Sequence, residues 1–252
     1  MVAFLKKYGK TLLFFGLVGL IGGFFTGIYA LDSCPAEIRE EILSQIKNEN
    51  LLGLVNALQA AGYGVIMGAA GIWLGRRTGM WKDETHLEQK PLLLTCLVAL
   101  IGGVGIILPD LVYFSRYSQA ILDSYAAKPT VAYILASVLY GGVIEEVMLR
   151  LFMMSLIAFL LHLVFGRKEE KPGTGMLIAA NVIAALLFAA GHLPSTALLL
   201  GITPMIVFRC FLLNGSFGLL FGWLYRKYGL RYAMLAHAGC HVVSKLIWIL
   251  FV

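Results

Sequence analysis

Long apolar runs alternate with short polar breaks along the whole chain. Runs of spanning length fall at about 11–31, 51–74, 91–114, 129–165, 176–192, 205–225 and 232–252. A helix needs roughly 20 apolar residues to cross a hydrocarbon core of about 30 Å. The pattern therefore predicts about seven transmembrane helices. The fourth run is too long for one straight crossing, and Gly141-Gly142 inside it marks a kink. Splitting that run would give an eighth crossing but would spoil the alternation of the loops after it. The polar stretch CPAEIREEILSQIKNEN (34–50) is mildly amphipathic and predicts a short surface helix with no chemistry assigned to it.

The charges at the breaks orient the chain. With the N-terminus inside, the inner segments carry Lys6, Lys7, Lys10; Arg76, Arg77, Lys82, Lys90; Arg167, Lys168, Lys171; and Arg226, Lys227, Arg231. The outer segments carry only Arg39, Lys47, Arg116 and Lys128. This asymmetry predicts a multi-pass cell-membrane protein with a cytoplasmic N-terminus and an outer C-terminus. The first run follows Lys6, Lys7 and Lys10 as a signal peptide would, but it has the length of a full span, so it is read as a retained helix. LDSC (31–34) is a poor lipoprotein cleavage box because of its aspartate.

Composition closes off other classes. The chain of 252 residues is 60% hydrophobic and 13% charged, with a mean hydropathy of +0.84. A soluble domain could not cover that much apolar side chain. The net charge of +6 reflects loop lysines and arginines, not a basic run with interleaved aromatics, so no nucleic-acid partner is expected. Cys34, Cys96, Cys210 and Cys240 have no CxxC spacing and imply neither disulfide framework nor zinc ribbon. No segment is long enough to fold as a separate soluble domain, so residues 1–252 are read as one integral membrane domain, with 1–128 preceding a core at 129–252.

An ionisable group near the bilayer centre costs on the order of 2.5–3.5 kcal/mol and is kept when it pairs, lines a polar cavity or works. Here such groups cluster in the second half: Glu145, Glu146, Arg150, His192, Arg209, His237, His241 and Lys245. Glu146 and Arg150 are spaced i,i+4 and can pair on one face. Glu145 is turned by about 100° from Glu146 and has no partner in its own helix. One glutamate should anchor and the other stand available. His237 and His241 share a face, with Ala238 and Gly239 between them small enough for another helix or a substrate to approach. Phe188 and His192 share a face as well. If the three helices meet, they enclose a polar cavity with a carboxylate and three imidazoles. Each motif alone also fits plain helix packing: a Glu–Arg pair as glue, His192 as an interfacial histidine before Pro194, His237 and His241 as hydrogen-bond partners. Asp110 is read as a solvated carboxylate at an outer helix end. Arg209 and Lys245 are read as able to snorkel or pair. Ser195, Ser216 and Cys240 lack the GxSxG context of a nucleophile.

Glu145-Glu146-x-x-x-Arg150, Phe188-x-x-x-His192 and His237-x-x-x-His241, in that order on apolar helices, resemble the three motifs of the CPBP family. That family comprises type II CAAX prenyl endopeptidases and bacteriocin-processing or self-immunity proteins. The likeness spans roughly residues 130–245. It implies an intramembrane glutamate endopeptidase with no metal and no other cofactor, acting on a peptide or protein substrate at the lipid bilayer. Glu145 and His192 would position and deprotonate a water. His237 and His241 would hold the oxyanion, while Glu146, Arg150 and Phe188 support the site. The third motif usually ends in Asn or Asp, and here it ends in His241. Three histidines and a glutamate also make a zinc set, so a zinc-dependent membrane hydrolase is the first rival. A non-proteolytic scaffold or regulator of the same fold is the second, and a transporter a distant third.

Overall fold

The computed structural model describes residues 2–46, 48–83, 86–166 and 168–252. Among them, seven helices are long and apolar enough to cross a membrane: Val2–Ser33, Glu49–Thr78, Gln89–Arg116, Val131–Phe165, Thr174–Leu200, Pro204–Tyr228 and Leu230–Phe251. They are called the first to seventh spans below. The described residues hold no strand, and the protein is an all-α, multi-span membrane bundle. The fourth run makes one crossing, not two. The predicted surface helix forms at Ala36–Ile46. Lys47 and Arg167, both used in the charge comparison, lie outside the described residues.

Local chemistry sets the helix ends. Thr130 Oγ1 accepts from the Tyr133 amide at 3.2 Å and starts the fourth span. Thr203 does the same for Ile206 at 3.2 Å, with Pro204 in the first turn of the sixth. These side chains satisfy amides that have no partner inside the helix. Gly79 (φ 76°) closes the second span and Gly229 (φ 109°) turns the sixth into the seventh, both in the left-handed region that a side chain disfavours.

Lipid offers no hydrophobic drive between helices, so close backbone approach carries the packing. The first and second spans meet through Gly19, Gly23, Gly27, Gly53 and Ala60. A Cβ on Gly23 would fall 2.5 Å from the Asn56 carbonyl oxygen. The third and seventh spans approach through Gly239, where a Cβ would fall 2.6 Å from Ala99 Cβ. Large apolar side chains such as Leu58, Ile66 and Val131 point outward, as a lipid-facing surface requires.

The fourth span departs from a regular α-helix where the sequence predicts a kink. Wider, π-helical turns run through Ala136–Glu145 and Val147–Met154. Such turns recur at functional sites. Gly141 and Gly142 serve the approach of the seventh span: a Cβ on Gly142 would lie 2.6 Å from Ala238 Cβ.

The ends of the spans group as alternate crossing demands. At one end, Lys7 and Tyr8 hydrogen-bond Asp83, and the 226–232 turn joins them around a cavity. At the other, Lys128 Nζ donates to the Trp248 carbonyl at 3.3 Å, and Tyr29 stacks on Tyr133 at 4.2 Å.

Asp110 differs from its sequence reading. It is 1% exposed, is gripped by both Arg209 Nε and Nη2, and accepts from the Tyr125 hydroxyl at 2.9 Å. The partner comes from the sixth span, ninety-nine residues away, which no local pattern announces. Arg209 thus pairs and does not snorkel.

Candidate active site

The fourth, fifth, sixth and seventh spans converge around the two glutamates. Glu146 is fully buried. Its Oε1 lies 3.1 Å from Arg150 Nη1 and accepts from, or shares a proton with, His237 Nδ1 at 2.8 Å. The first contact was legible from the i,i+4 spacing. The second joins the fourth and seventh spans and was not. A buried ion pair survives where geometry and further hydrogen bonds offset desolvation, and here an imidazole supplies one of those bonds.

Arg150 is 1% exposed and is held by rings as well as by charge. Its guanidinium carbon lies 4.4 Å from the centre of Phe188 and 5.6 Å from that of Phe221. Gly218 leaves it room, since a Cβ there would meet Arg150 Nη2 at 3.4 Å. A cation over a desolvated aromatic face is stabilised by the ring quadrupole.

Phe188 is the hub of the site. Besides Arg150 it meets His192 edge-on at 4.6 Å and His237 at 5.9 Å. One ring thereby touches a member of each of the three motifs. Phe221 stacks on His237 at 4.6 Å and 21°. Sequence reasoning missed Phe221, because an aromatic residue in an apolar span carries no signal that sets it apart.

Glu145 behaves differently from its neighbour. It is half-buried and has no hydrogen bond or ion pair to another described residue. Its carboxylate lines a notch over Gly141. A Cβ built there would lie 3.0 Å from His241 Nε2 and 3.9 Å from Glu145 Oε2. Any side chain at Gly141 would fill the space between these groups. His241 sits 4.9 Å from His237, ring centre to ring centre, and its Nδ1 is buried without a hydrogen-bond partner. Buried polar atoms are seldom left unpaired, and exceptions gather at sites that bind or react.

His192 stands at the break between Thr174–Gly191 and Leu193–Leu200 and is half-buried. Its Nδ1 is 2.8 Å from the Phe188 carbonyl, which fixes the ring and leaves Nε2 for another partner. No hydrogen bond joins His192 to Glu145. The structure thus brings Glu146, Arg150, Phe188, His192 and His237 into one contact network, and has Glu145 and His241 both border the notch over Gly141. Among the described residues, no three His, Cys, Asp or Glu side chains are grouped as a metal-ion site requires. The cavity lined by Lys7, Asp83 and Tyr232 holds neither Glu145 nor Glu146; it lies at the Lys7–Asp83 end of the first span, opposite the end that carries Tyr29.

Residues 127–243 match the family described as type II CAAX prenyl endopeptidase Rce1-like. This segment is similar to members of that family. It contains all seven residues of the candidate site and leaves the first three spans outside. The matched stretch is a little under half of the chain. No curated protein and no solved structure matches the chain. The seven apolar helices make this a multi-pass membrane protein, and its second half is CAAX protease-like.

Proposed function

We propose that the protein hydrolyses a peptide bond of a membrane-anchored substrate with a water activated by Glu145 and His192. The observation that carries this reading is the contrast between the two glutamates. Glu146 is committed to Arg150 and His237, whereas Glu145 has no hydrogen bond or ion pair to another described residue and borders the same notch over Gly141 as His241. A general base must be accessible and uncommitted; an anchor must be neither.

The chemistry follows from the groups present. Glu145 takes a proton from a water that His192 orients, and the resulting hydroxide attacks the peptide carbonyl carbon. His241 donates to the developing oxyanion. His237 has Nδ1 taken by Glu146, so it reaches the site through Nε2, and donates from there when the ring carries both protons. Collapse of the tetrahedral species breaks the C–N bond, and the proton held by Glu145 passes to the leaving amine. Donors fixed in a water-poor site stabilise such charge strongly. Glu146, Arg150 and Phe188 position His237, as a carboxylate behind an imidazole does in other hydrolytic sites.

The test compares membrane proteomes of cells carrying wild-type protein and the Glu145→Gln variant. A membrane-anchored precursor, prenylated or leader-bearing, is expected to accumulate in the variant. Identical precursor and product levels in the two would contradict the reading.

A further inference from the structure

A second built feature lies away from the glutamates. A cavity of about 550 Å³ opens where the N-terminal turns of the first span, residues 81–83 and 86–91, and the 227–234 turn come together. That volume falls within the range of small-molecule sites. Among the described residues, five cations line it, Lys7, Lys10, Lys82, Lys227 and Arg231, against two carboxylates, Asp83 and Glu88. The Lys7–Asp83 ion pair cancels within this count, which leaves Lys10, Lys82, Lys227 and Arg231 against Glu88 among the described residues. Asp83 is already occupied by Lys7 at 2.8 Å, by the Tyr8 hydroxyl at 3.0 Å and by Trp81 Nε1 at 2.8 Å. Lys10, Lys82 and Arg231 have no ion pair to any described residue, and Lys227 rests over the rings of Trp223 and Tyr228.

The remaining walls are graded. Tyr8, Trp81, Tyr228 and Tyr232 form an aromatic collar, the residue types that sit at headgroup depth. Beyond them Phe14, Phe15 and Met234 continue along the spans, with Phe14 half-exposed on the lipid-facing side. A phosphate would meet the cations, a glycerol the aromatic collar, and an acyl chain the apolar wall. The charge asymmetry assigns this end to the cytoplasm, whose leaflet carries the anionic lipids, and basic pockets between helices on that side suit their headgroups.

We infer that this cavity binds the phosphodiester headgroup of an anionic membrane phospholipid, independently of the peptide-hydrolysing site. The inference stands whether or not Glu145 is a catalytic base. The test uses the purified full chain in vesicles of phosphatidylcholine, alone or doped with phosphatidylglycerol, and reads the rise in melting temperature against the doped fraction. The Lys82→Gln/Arg231→Gln double variant should need about thirtyfold more phosphatidylglycerol for the same rise. A charge-matched control, Lys168→Gln/Lys171→Gln, removes two cations at the same end that do not line the cavity, and should respond as wild type. If Lys82→Gln/Arg231→Gln melts below wild type in phosphatidylcholine alone, Lys10→Gln/Lys227→Gln takes its place with the same expectation. Equal loss in the cavity and control variants would mean diffuse surface attraction and overturn the inference. An equal rise produced by inorganic phosphate in undoped vesicles would mean a soluble phosphate ligand and overturn the assignment to a lipid.

Discussion

Adjacent glutamates on one helix occupy opposite situations. Glu146 is wholly buried between Arg150 and His237, and Glu145 is half-buried with no hydrogen bond or ion pair to another described residue. Glu145→Gln should therefore abolish turnover while leaving the melting temperature close to wild type. Glu146→Gln leaves the buried Arg150 charge uncompensated, a loss on the order of 3–5 kcal/mol. Its melting temperature should fall well below that of Glu145→Gln, with activity and melting curves measured on both. Equal stability and equal activity loss would refute the division of labour. His241 supplies a second residue-level test. His241→Asn keeps an N–H donor and should retain much of the activity, whereas His241→Ala should lose about 10²–10³-fold in kcat, the usual scale for one oxyanion donor. A zinc enzyme would behave otherwise: Asn is a poor zinc ligand, so both variants should fall together and bound zinc should fall with them. Zinc content and rate are measured on the same preparations. The Glu146–Arg150 pair was legible because i,i+4 neighbours share a helix face. The Glu146–His237 bond was not, because ninety-one residues separate its partners and only the packing of two spans brings them together.

At the scale of elements, the approach of the seventh span to the fourth sets the positions of Glu145 and His241. A Cβ on Gly142 would lie 2.6 Å from Ala238 Cβ and 2.7 Å from its Cα, so the backbones must separate to admit it. Overpacking of this kind costs about 1–3 kcal/mol. Gly142→Ala should lower both the melting temperature and the turnover, and adding Ala238→Gly should restore part of each. No rescue by the second change would remove this contact from the account. The loop end carries a weaker, pH-dependent contact. Hydrogen bonds from Lys7 first, then Trp81 and Tyr8, hold the Asp83 carboxyl below the usual carboxylate range. A depressed folded-state value means that the contact stabilises above about pH 4, the unfolded carboxylate value, and fades as pH falls through the lowered folded value. The pair is exposed and screened by salt, so the effect is small. The melting difference between wild type and Asp83→Asn should be small at neutral pH and vanish in acid. The sequence announced the apolar spans and the small residues at 238 and 239. It did not announce the π-helical turns of 136–154, because they redistribute backbone hydrogen bonds without changing the hydrophobic pattern.

At the scale of the whole molecule, hydropathy alone set the number of crossings, and the basic breaks gather at one end of the bundle. Single cysteines placed at His86 and Glu169 in a cysteine-free background should resist an impermeant reagent in intact cells, while one at Ser44 should label readily. Ready labelling at His86 or Glu169 would reverse the cytoplasmic assignment of the N-terminus. The buried Asp110–Arg209 pair shows where a one-dimensional reading stops, since a carboxylate near a predicted helix end looks solvated until the sixth span is laid against the third. The central claim is that Glu145 drives peptide hydrolysis inside this bundle. Its most direct test is the purified full chain in vesicles with a fluorogenic, prenylated C-terminal peptide and, in parallel, an accumulated precursor from the proteome comparison. The account predicts cleavage of at least one by wild-type protein and none by an equally folded Glu145→Gln variant. Cleavage by Glu145→Gln at the wild-type rate would contradict it.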